Sequence, residues 1–453
     1  MNQTTPWSVT SVGERFVEYF RQLGFREIAG SSLLSEALPM TFVMSAGMVQ
    51  FEKLAPVAQP GDRYVLIQNC FRHMDIETVR ESSFHLSLFQ MPGAFIFGPL
   101  DRQVCTAQIW ELLTRVFGLD PQRLYVTYFR GGKVGGQFIL PDEATAIAWQ
   151  AVGVPAKHIV ALGNKDNFWQ QSARMVGLVN SRKCGPNTEI FFDRGPKYGC
   201  GKRDCHPGCS CGRFVEFLNH LFISLQVTTD GEIIPLENPF TETVIGRERL
   251  AALLNQAASV FDVDTIQPLV QQVECFDKFT PLDTEACLRH RRVIVDHLRA
   301  LLFLFHDGAP APGKSGRERL MRILARELLI SRRLLGISDP GFLRSLTMLA
   351  LDLYPHLTQQ TQQRILEVMA EENARFEHTI QKGLETLERR LRNGLAIEPA
   401  ELAKMEKDSG IPFDLLCYIL WQKHIPVDLA ACQAERQIYL RKLQAESAHS
   451  RKR

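Results

Sequence analysis

The sequence predicts an α+β domain followed by an all-α domain, and three observations predict it. Up to about residue 255, period-two apolar runs mix irregularly with amphipathic segments, and antiparallel signals dominate. Beyond that point the apolar residues fall almost purely at helical spacing. A chain of 453 residues is also too long for a single core. Apolar content of 45% and charged content of 23% are those of a soluble globular protein. No run of about 18 uncharged apolar residues is present, and the N-terminus, MNQTTPWSVT, lacks a basic region followed by an apolar core. A cytoplasmic protein without membrane contact is the expectation. The formal net charge of +2 makes no case for or against nucleic acid, so any such surface must be local. Of 11 cysteines, four crowd into Cys200–Cys211, which suits reduced thiols with one metal site better than a disulfide framework.

Residues 11–24, SVGERFVEYFRQLG, place Phe16, Val17, Tyr19, Phe20 and Leu23 on a helix, with Ser11 and Glu14 as a capping box and Gly24 as the stop. A short strand at Arg26–Ala29 follows. In TFVMSAGMVQF, Thr41–Phe51, small residues inside an apolar run predict a close backbone approach. The central feature is Gln68–Gly98. Strand YVLIQ (Tyr64–Gln68) delivers Arg72, a charged loop follows, and HLSLFQM through AFIFG returns as an antiparallel partner. An arginine there can meet a phosphate bidentately, because its planar fork matches two phosphate oxygens. Residues 105–117 form a second amphipathic helix and Arg123–Phe129 a strand. RGGKVGGQF, Arg130–Phe138, reads as a turn, since it does not open onto a helix as a phosphate loop does.

In the second domain, residues 285–306 and 317–335 are amphipathic helices joined by the linker Asp307–Gly316, rich in glycine and proline. From Gln359 to Leu391, residues Ile365, Met369, Phe376, Ile380, Leu384, Leu387 and Leu391 make one buried stripe on one long helix. The tail, AHSRKR from Ala448, is basic and expected to be disordered.

Three segments place charged residues where an apolar run ends. They are Arg72 with Asp75 and Glu77; CGPNTEIFFD, with Glu189 and Asp193; and NPFTETVIGRERL, with Glu242 and Arg249. Arginines and carboxylates arriving from distant positions can hold a nucleoside triphosphate, with Mg2+ bridging carboxylate and phosphate. In CGKRDCHPGCSC, the thiolates of Cys200, Cys205, Cys209 and Cys211 can close a tetrahedral structural Zn2+ site. The spacing departs from paired CxxC knuckles, and a metal-free loop is the alternative.

In collinear order these segments resemble the class II catalytic core of the alanyl-tRNA synthetase family. SAGMVQF is similar to the family's NAGMNQF; QNCFR follows; and HLSLFQMPGAFIFG is similar to HHTFFEMLGNFSFG. DNFWQ (Asp166–Gln170), CGPNTEIFFD, RFVEFLNHLF and the stretch ending GRERLA come next. RVIVDHLRALLFLFHDG, Arg292–Gly308, resembles the opening of the family's helical domain and SGIPFDL, Ser409–Leu415, its end. The resemblance thus spans nearly the whole chain.

It implies an antiparallel class II adenylation core over residues 1–255 with a Cys-rich insertion at 200–211, a tRNA-recognition-like helical domain over 256–445, and a basic tail at 446–453. The implied activity is that of an aminoacyl-tRNA ligase of the alanine–tRNA ligase type, using ATP and Mg2+ and taking the tRNA acceptor stem as partner. Arg72 would hold the α-phosphate and Arg249 the γ-phosphate, with Asp75 and Glu77 in the same ATP site. Met91 and Phe95 would lie against the adenine or the amino acid. Trp169, Asn219, Leu221 and Glu242 would line the amino-acid pocket. Adenylation gathers negative charge at a five-coordinate phosphorus, which two arginines and Mg2+ offset.

Departures from the family refine this expectation. Glu242 stands where the family has an aspartate for the substrate ammonium, and Leu221 where it has a valine. Both narrow the pocket, and one methylene is worth roughly 1–3 kcal/mol of discrimination, so alanine, glycine and serine all stay open as substrates. Arg72 runs straight into HMDIETV without the GGK insertion of the bacterial form. In the helical domain, the segments that read the G·U pair have become PGKSGRE (Pro312–Glu318) and MEKDSG (Met405–Gly410), with Lys407 at the aspartate position and Asp408 beside it. Lost base contacts cost about 1–3 kcal/mol each. Arg319, Arg322, Arg326 and Arg333 still share a helix face and can meet phosphates, which position without specifying. The chain ends where the family's editing and C-terminal domains would begin. No HxxxH pairs with a distant CxxxH, so hydrolysis of mischarged tRNA is expected to be absent. Two other readings stay open: adenylation for a non-tRNA acceptor, and a non-catalytic tRNA-binding regulator, against which the retained arginines speak. No feature of the sequence sets the oligomeric state.

Overall fold

The structure, a computed structural model, describes residues 6–36, 41–99, 101–171, 182–277, 282–392, 399–409, 411–425 and 428–450. The chain divides into two units, Met1–Pro268 and Leu269–Arg453. The sequence boundary near residue 255 is thus too early. Val260 and Phe261 are buried, and the Val260 N–H donates to Ser83 O at 2.9 Å, so this stretch folds back onto the first unit.

Eleven strands are described in the first unit. They are β1 (Arg26–Glu27), β2 (Arg63–Phe71), β3 (Leu88–Phe97), β4 (Leu124–Phe129), β5 (Gly132–Val134), β6 (Gln137–Ile139), β7 (Ile159–Leu162), β8 (Phe168–Gln170), β9 (Arg182–Asp193), β10 (Phe214–Val227) and β11 (Ile233–Ile245). Nine form one sheet in the order β1-β2-β3-β11-β10-β9-β4-β7, with β8 paired to β9. The β2–β3 pair is the antiparallel hairpin read from Gln68–Gly98, with Phe71 opposite Leu88. Pairing is antiparallel except for β1 with β2 and β4 with β7. β10 sits mid-sheet and is buried along most of its length, which is why its sequence is a nearly continuous apolar run. The glycine segment after β4 is a separate β5–β6 hairpin. Val134 pairs with Gln137 across Gly135 and Gly136, both at positive φ (54° and 93°), as a two-residue primed turn needs.

The helices of this unit are α1 (Val9–Gln22), α2 (Ala46–Leu54), α3 (Thr78–Glu81), α4 (Arg102–Glu111), α5 (Glu143–Ala151), α6 (Asn164–Asn167) and α7 (Arg247–Leu254). The N-cap of α1 is Ser8, whose hydroxyl accepts from the Ser11 N–H at 2.9 Å, so the Ser11–Glu14 capping box is corrected. Residues Thr41–Phe51, read as an apolar run with a close approach, turn into helix α2 from Ser45 onward.

The second unit is helical: α8 (Gln267–Phe276, beginning at the boundary), α9 (Thr284–His306), α10 (Gly316–Leu334), α11 (Phe342–Leu353), α12 (Gln359–Arg392), α13 (Pro399–Ser409), α14 (Phe413–Gln422) and α15 (Leu429–Ser450). In α12, Ile365, Met369, Phe376 and Ile380 are buried as the spacing predicts and Leu384 is half-buried; the side chains of Leu387 and Leu391 lie outside the described residues. The basic tail is corrected in part: α15 runs to Ser450, and residues 451–453 lie outside the described residues. Among the described residues, no helix is long and apolar enough to cross a membrane.

Candidate active site

A cavity of about 250 Å³ opens in the first unit. Its lining comes from the end of β2, the loop before β3, strands β3, β8, β9, β10 and β11, and the start of α7. Nine residues singled out from sequence meet there: Arg72, Asp75, Met91, Trp169, Glu189, Asn219, Leu221, Glu242 and Arg249. The antiparallel register brings the inner ones together, with Leu221 opposite Glu242 and Asn219 opposite Glu189.

Glu77 and Phe95 are not brought to the cavity. Glu77 is exposed at the head of α3. Phe95 shares a face of β3 with Met91 but lies farther along it, 1% exposed in the apolar core with Phe97 and Phe240. The ring that does face Arg72 is Phe89, with the guanidinium carbon 5.0 Å from its centroid. Strand alternation marks the face shared by Phe89, Met91 and Phe95 but not how far along it a cavity reaches.

Both arginines are held by backbone oxygens. Arg72 Nε donates to Met44 O at 3.2 Å. Arg249 Nε donates to Phe84 O at 3.1 Å, and its Nη1 donates to Glu216 O at 2.6 Å and Glu216 Oε2 at 3.0 Å. The two cations are therefore pre-aimed from different elements, which lowers the ordering cost of binding an anion.

Glu242 is 2% exposed, and among the described residues its Oε1 has no hydrogen-bond partner. Burial pushes its carboxyl up to about 7, against the Gly47 N–H, the Arg72 charge and the Ser45 hydroxyl, which favour the carboxylate. This is the close approach predicted for the SAGMVQF segment: a Cβ on Gly47 would overlap the Glu242 carboxylate.

Glu189 on β9, Glu216 on β10 and Glu248 on α7 also line the cavity. Burial, and then the charge of Glu216, push Glu189 up to about 9. Glu216 was not singled out from sequence, yet a charged residue inside the apolar run RFVEFLNHLF is the signal that could have found it. Two mutually repelling carboxylates in a cavity suit a divalent cation.

Outside the cavity, the sulfurs of Cys200, Cys205, Cys209 and Cys211 all lie within 4.8 Å of one another, close enough to share one metal ion. On α10, Arg319 is exposed and Arg322 half-buried. Arg326 and Arg333 are instead ion-paired to α12, at 2.7 Å to Glu372 and 2.8 Å to Glu377. The side chains of Lys407 and Asp408 lie outside the described residues.

Residues 11–452 match the family described as tRNA synthetases class II (A). The alanine–tRNA ligase of Dehalococcoides mccartyi is 33% identical over 441 residues, 95% of this chain and 48% of that one. The alanine–tRNA ligase of Desulfosudis oleivorans is 31% identical over 436 residues, 92% of this chain and 47% of that one. The chain therefore spans about half the length of the curated relatives it matches. Among solved structures, an apo histidyl-tRNA synthetase of S. aureus covers 66% of this chain and 79% of its own, at 11% identity and a TM-score of 0.31.

Proposed function

Because the chain belongs to the class II (A) tRNA synthetase family, we propose that the cavity activates a small amino acid with ATP as an aminoacyl adenylate and passes it to the 3′ end of a tRNA. The observation that carries this reading is the convergence of Arg72 and Arg249 on one cavity that also holds the buried carboxylate of Glu242.

In this reading the substrate ammonium supplies the partner that Glu242 Oε1 lacks, between Trp169 and Asn219. The substrate carboxylate attacks the α-phosphorus and the bond to pyrophosphate breaks. Arg72 offsets the charge gathering on the α-phosphate and Arg249 that on the leaving pyrophosphate. Glu189 and Glu216 would hold Mg2+, which would supply positive charge against the triphosphate. Leu221 and Glu242 limit the side chain to one as small as alanine. The tRNA acceptor stem would meet Arg319 and Arg322 through its phosphates. The four thiolates, soft ligands, would take Zn2+ in a structural role.

The test is ATP–pyrophosphate exchange with alanine, glycine and serine in turn. Exchange dependent on alanine is expected, and R249A should lower kcat/KM about 10²–10³-fold, as for loss of a preorganised charge-stabilising donor. No exchange with any of the three amino acids overturns the reading. The ion pairs of Arg326 and Arg333 favour a second reading, in which the adenylate goes to an acceptor other than tRNA. Efficient charging of alanine tRNA by the purified protein would remove it.

A further inference from the structure

The cysteine loop between β9 and β10 has almost no core of its own. From Gly201 to Gly212 only Pro207 is buried, and the rest are exposed or half-buried. A segment with so little apolar burial needs a staple to hold one conformation. The sulfurs supply the means. Cys200 Sγ lies 3.8 Å from Cys209 Sγ, and Cys205 Sγ 3.6 Å from Cys211 Sγ. Four sulfurs at a Zn–S distance of about 2.3 Å around one Zn2+ stand about 3.8 Å apart at the edges of the tetrahedron. Among the described residues, the ligand atoms that fall together here are the four sulfurs.

The base of this loop reaches the cavity wall through Arg194. Arg213 clamps Asp193 bidentately at 2.8 and 2.7 Å, and the Arg194 N–H donates to Arg213 O at 2.9 Å. The Arg194 guanidinium then lies between two rings, 3.7 Å from the centroid of Tyr198 and 4.6 Å from that of Phe84, and donates to Ala258 O at 3.2 Å. Tyr198 closes the turn that leads directly into Cys200. Phe84 lines the cavity, and its carbonyl accepts from Arg249.

We propose that Cys200, Cys205, Cys209 and Cys211 bind one Zn2+, and that the filled site is a brace. By fixing Tyr198 it holds Arg194 against Phe84 and so positions Arg249 for the triphosphate. The brace rests on the reading of the cavity as an ATP site; the metal site does not. Arg194 is a positioning residue in this scheme, acting through Phe84 on Arg249.

Elemental analysis of the purified full chain tests the metal, and Co2+ substitution tests its ligands. One zinc per chain and the sulfur-to-cobalt charge-transfer band of a tetrathiolate are expected, both lost in a C205S/C209S variant. No zinc and no such band in the wild type overturns the site. Calorimetric ATP binding, together with the KM values for ATP and amino acid, tests the brace. Chelator-stripped wild type and R194A should each weaken ATP binding roughly fivefold, the size of one lost cation–π contact, with the amino-acid KM unchanged and R194A still holding zinc. Unchanged ATP binding in both overturns the brace. Zinc-loaded wild type that binds no ATP removes the ATP-site reading and the brace with it, while the metal analysis still decides the zinc site. The stripped protein and R194A keep the test decisive where the double cysteine variant fails to fold.

Discussion

Glu242 carries the pH dependence of the cavity. Its carboxyl titrates near 7 in the folded chain against an ordinary value of 4.5. The native state therefore binds the extra proton between those values, and stability falls as pH rises through that window. The cost is fully present above about pH 7 and is on the order of 3 kcal/mol, at about 1.4 kcal/mol per pH unit. Replacing Glu242 by Gln should raise the thermal midpoint above that of wild type at pH 8, with the gap closing toward pH 5. Parallel pH curves for the two proteins would count against the assignment. Binding of a substrate ammonium needs the carboxylate, so the amino-acid KM should drop as pH rises through 7 in the wild type and show no such step in E242Q. The sequence marks Glu242 as a carboxylate at the end of an apolar run. Its burial comes from Leu221 opposite it across the sheet and from Gly47, whose N–H meets the carboxylate.

Among the elements, α2 and the β9–β10 pair decide the cavity's form. The small residues of SAGMVQF predict a close approach, and the structure makes it a helix start pressed onto Glu242 rather than an extended run. Substitution G47A should therefore push the carboxylate aside. The expected result is an amino-acid KM raised about tenfold, the equivalent of about 1.4 kcal/mol, with ATP KM little changed. An unaltered amino-acid KM would show that the Glu242 carboxylate is not the group the substrate meets. The hairpin of Gln68–Gly98 and the long helix α12 are legible because alternation and 3.6-residue spacing are local properties of the chain. The capping of α1 by Ser8 is not, since Ser8 and Ser11 present the same side chain and packing decides which one caps. Likewise Phe95 and Phe89 share one face of β3, and only the course of the neighbouring strands leaves Phe89 at the cavity.

At the scale of the whole chain, the adenylation unit and the helical unit have separate chemistry to test. Charge reversal R319E/R322E should weaken transfer to tRNA and flatten its salt dependence by up to about two phosphate contacts, while leaving ATP–pyrophosphate exchange unaffected. Loss of exchange in that variant would mean the substitutions act on folding instead. Arg319, Arg322, Arg326 and Arg333 of α10 look alike in sequence, at helical spacing on one face. The structure separates them: Arg326 and Arg333 are neutralised by Glu372 and Glu377, more than forty residues away in α12. By itself the sequence determined the α+β and all-α halves, the class II motifs, and the residue types that bear charge at strand ends. Those follow from periodicity and from side-chain chemistry, both carried within short segments. The tertiary structure alone decided that Glu189 and Glu216 line one cavity and that Glu242 is buried beside Gly47. It also decided that the first unit runs on to Pro268. Each of these joins residues through sheet register or loop closure over long separations, and no local pattern encodes a distance across a sheet.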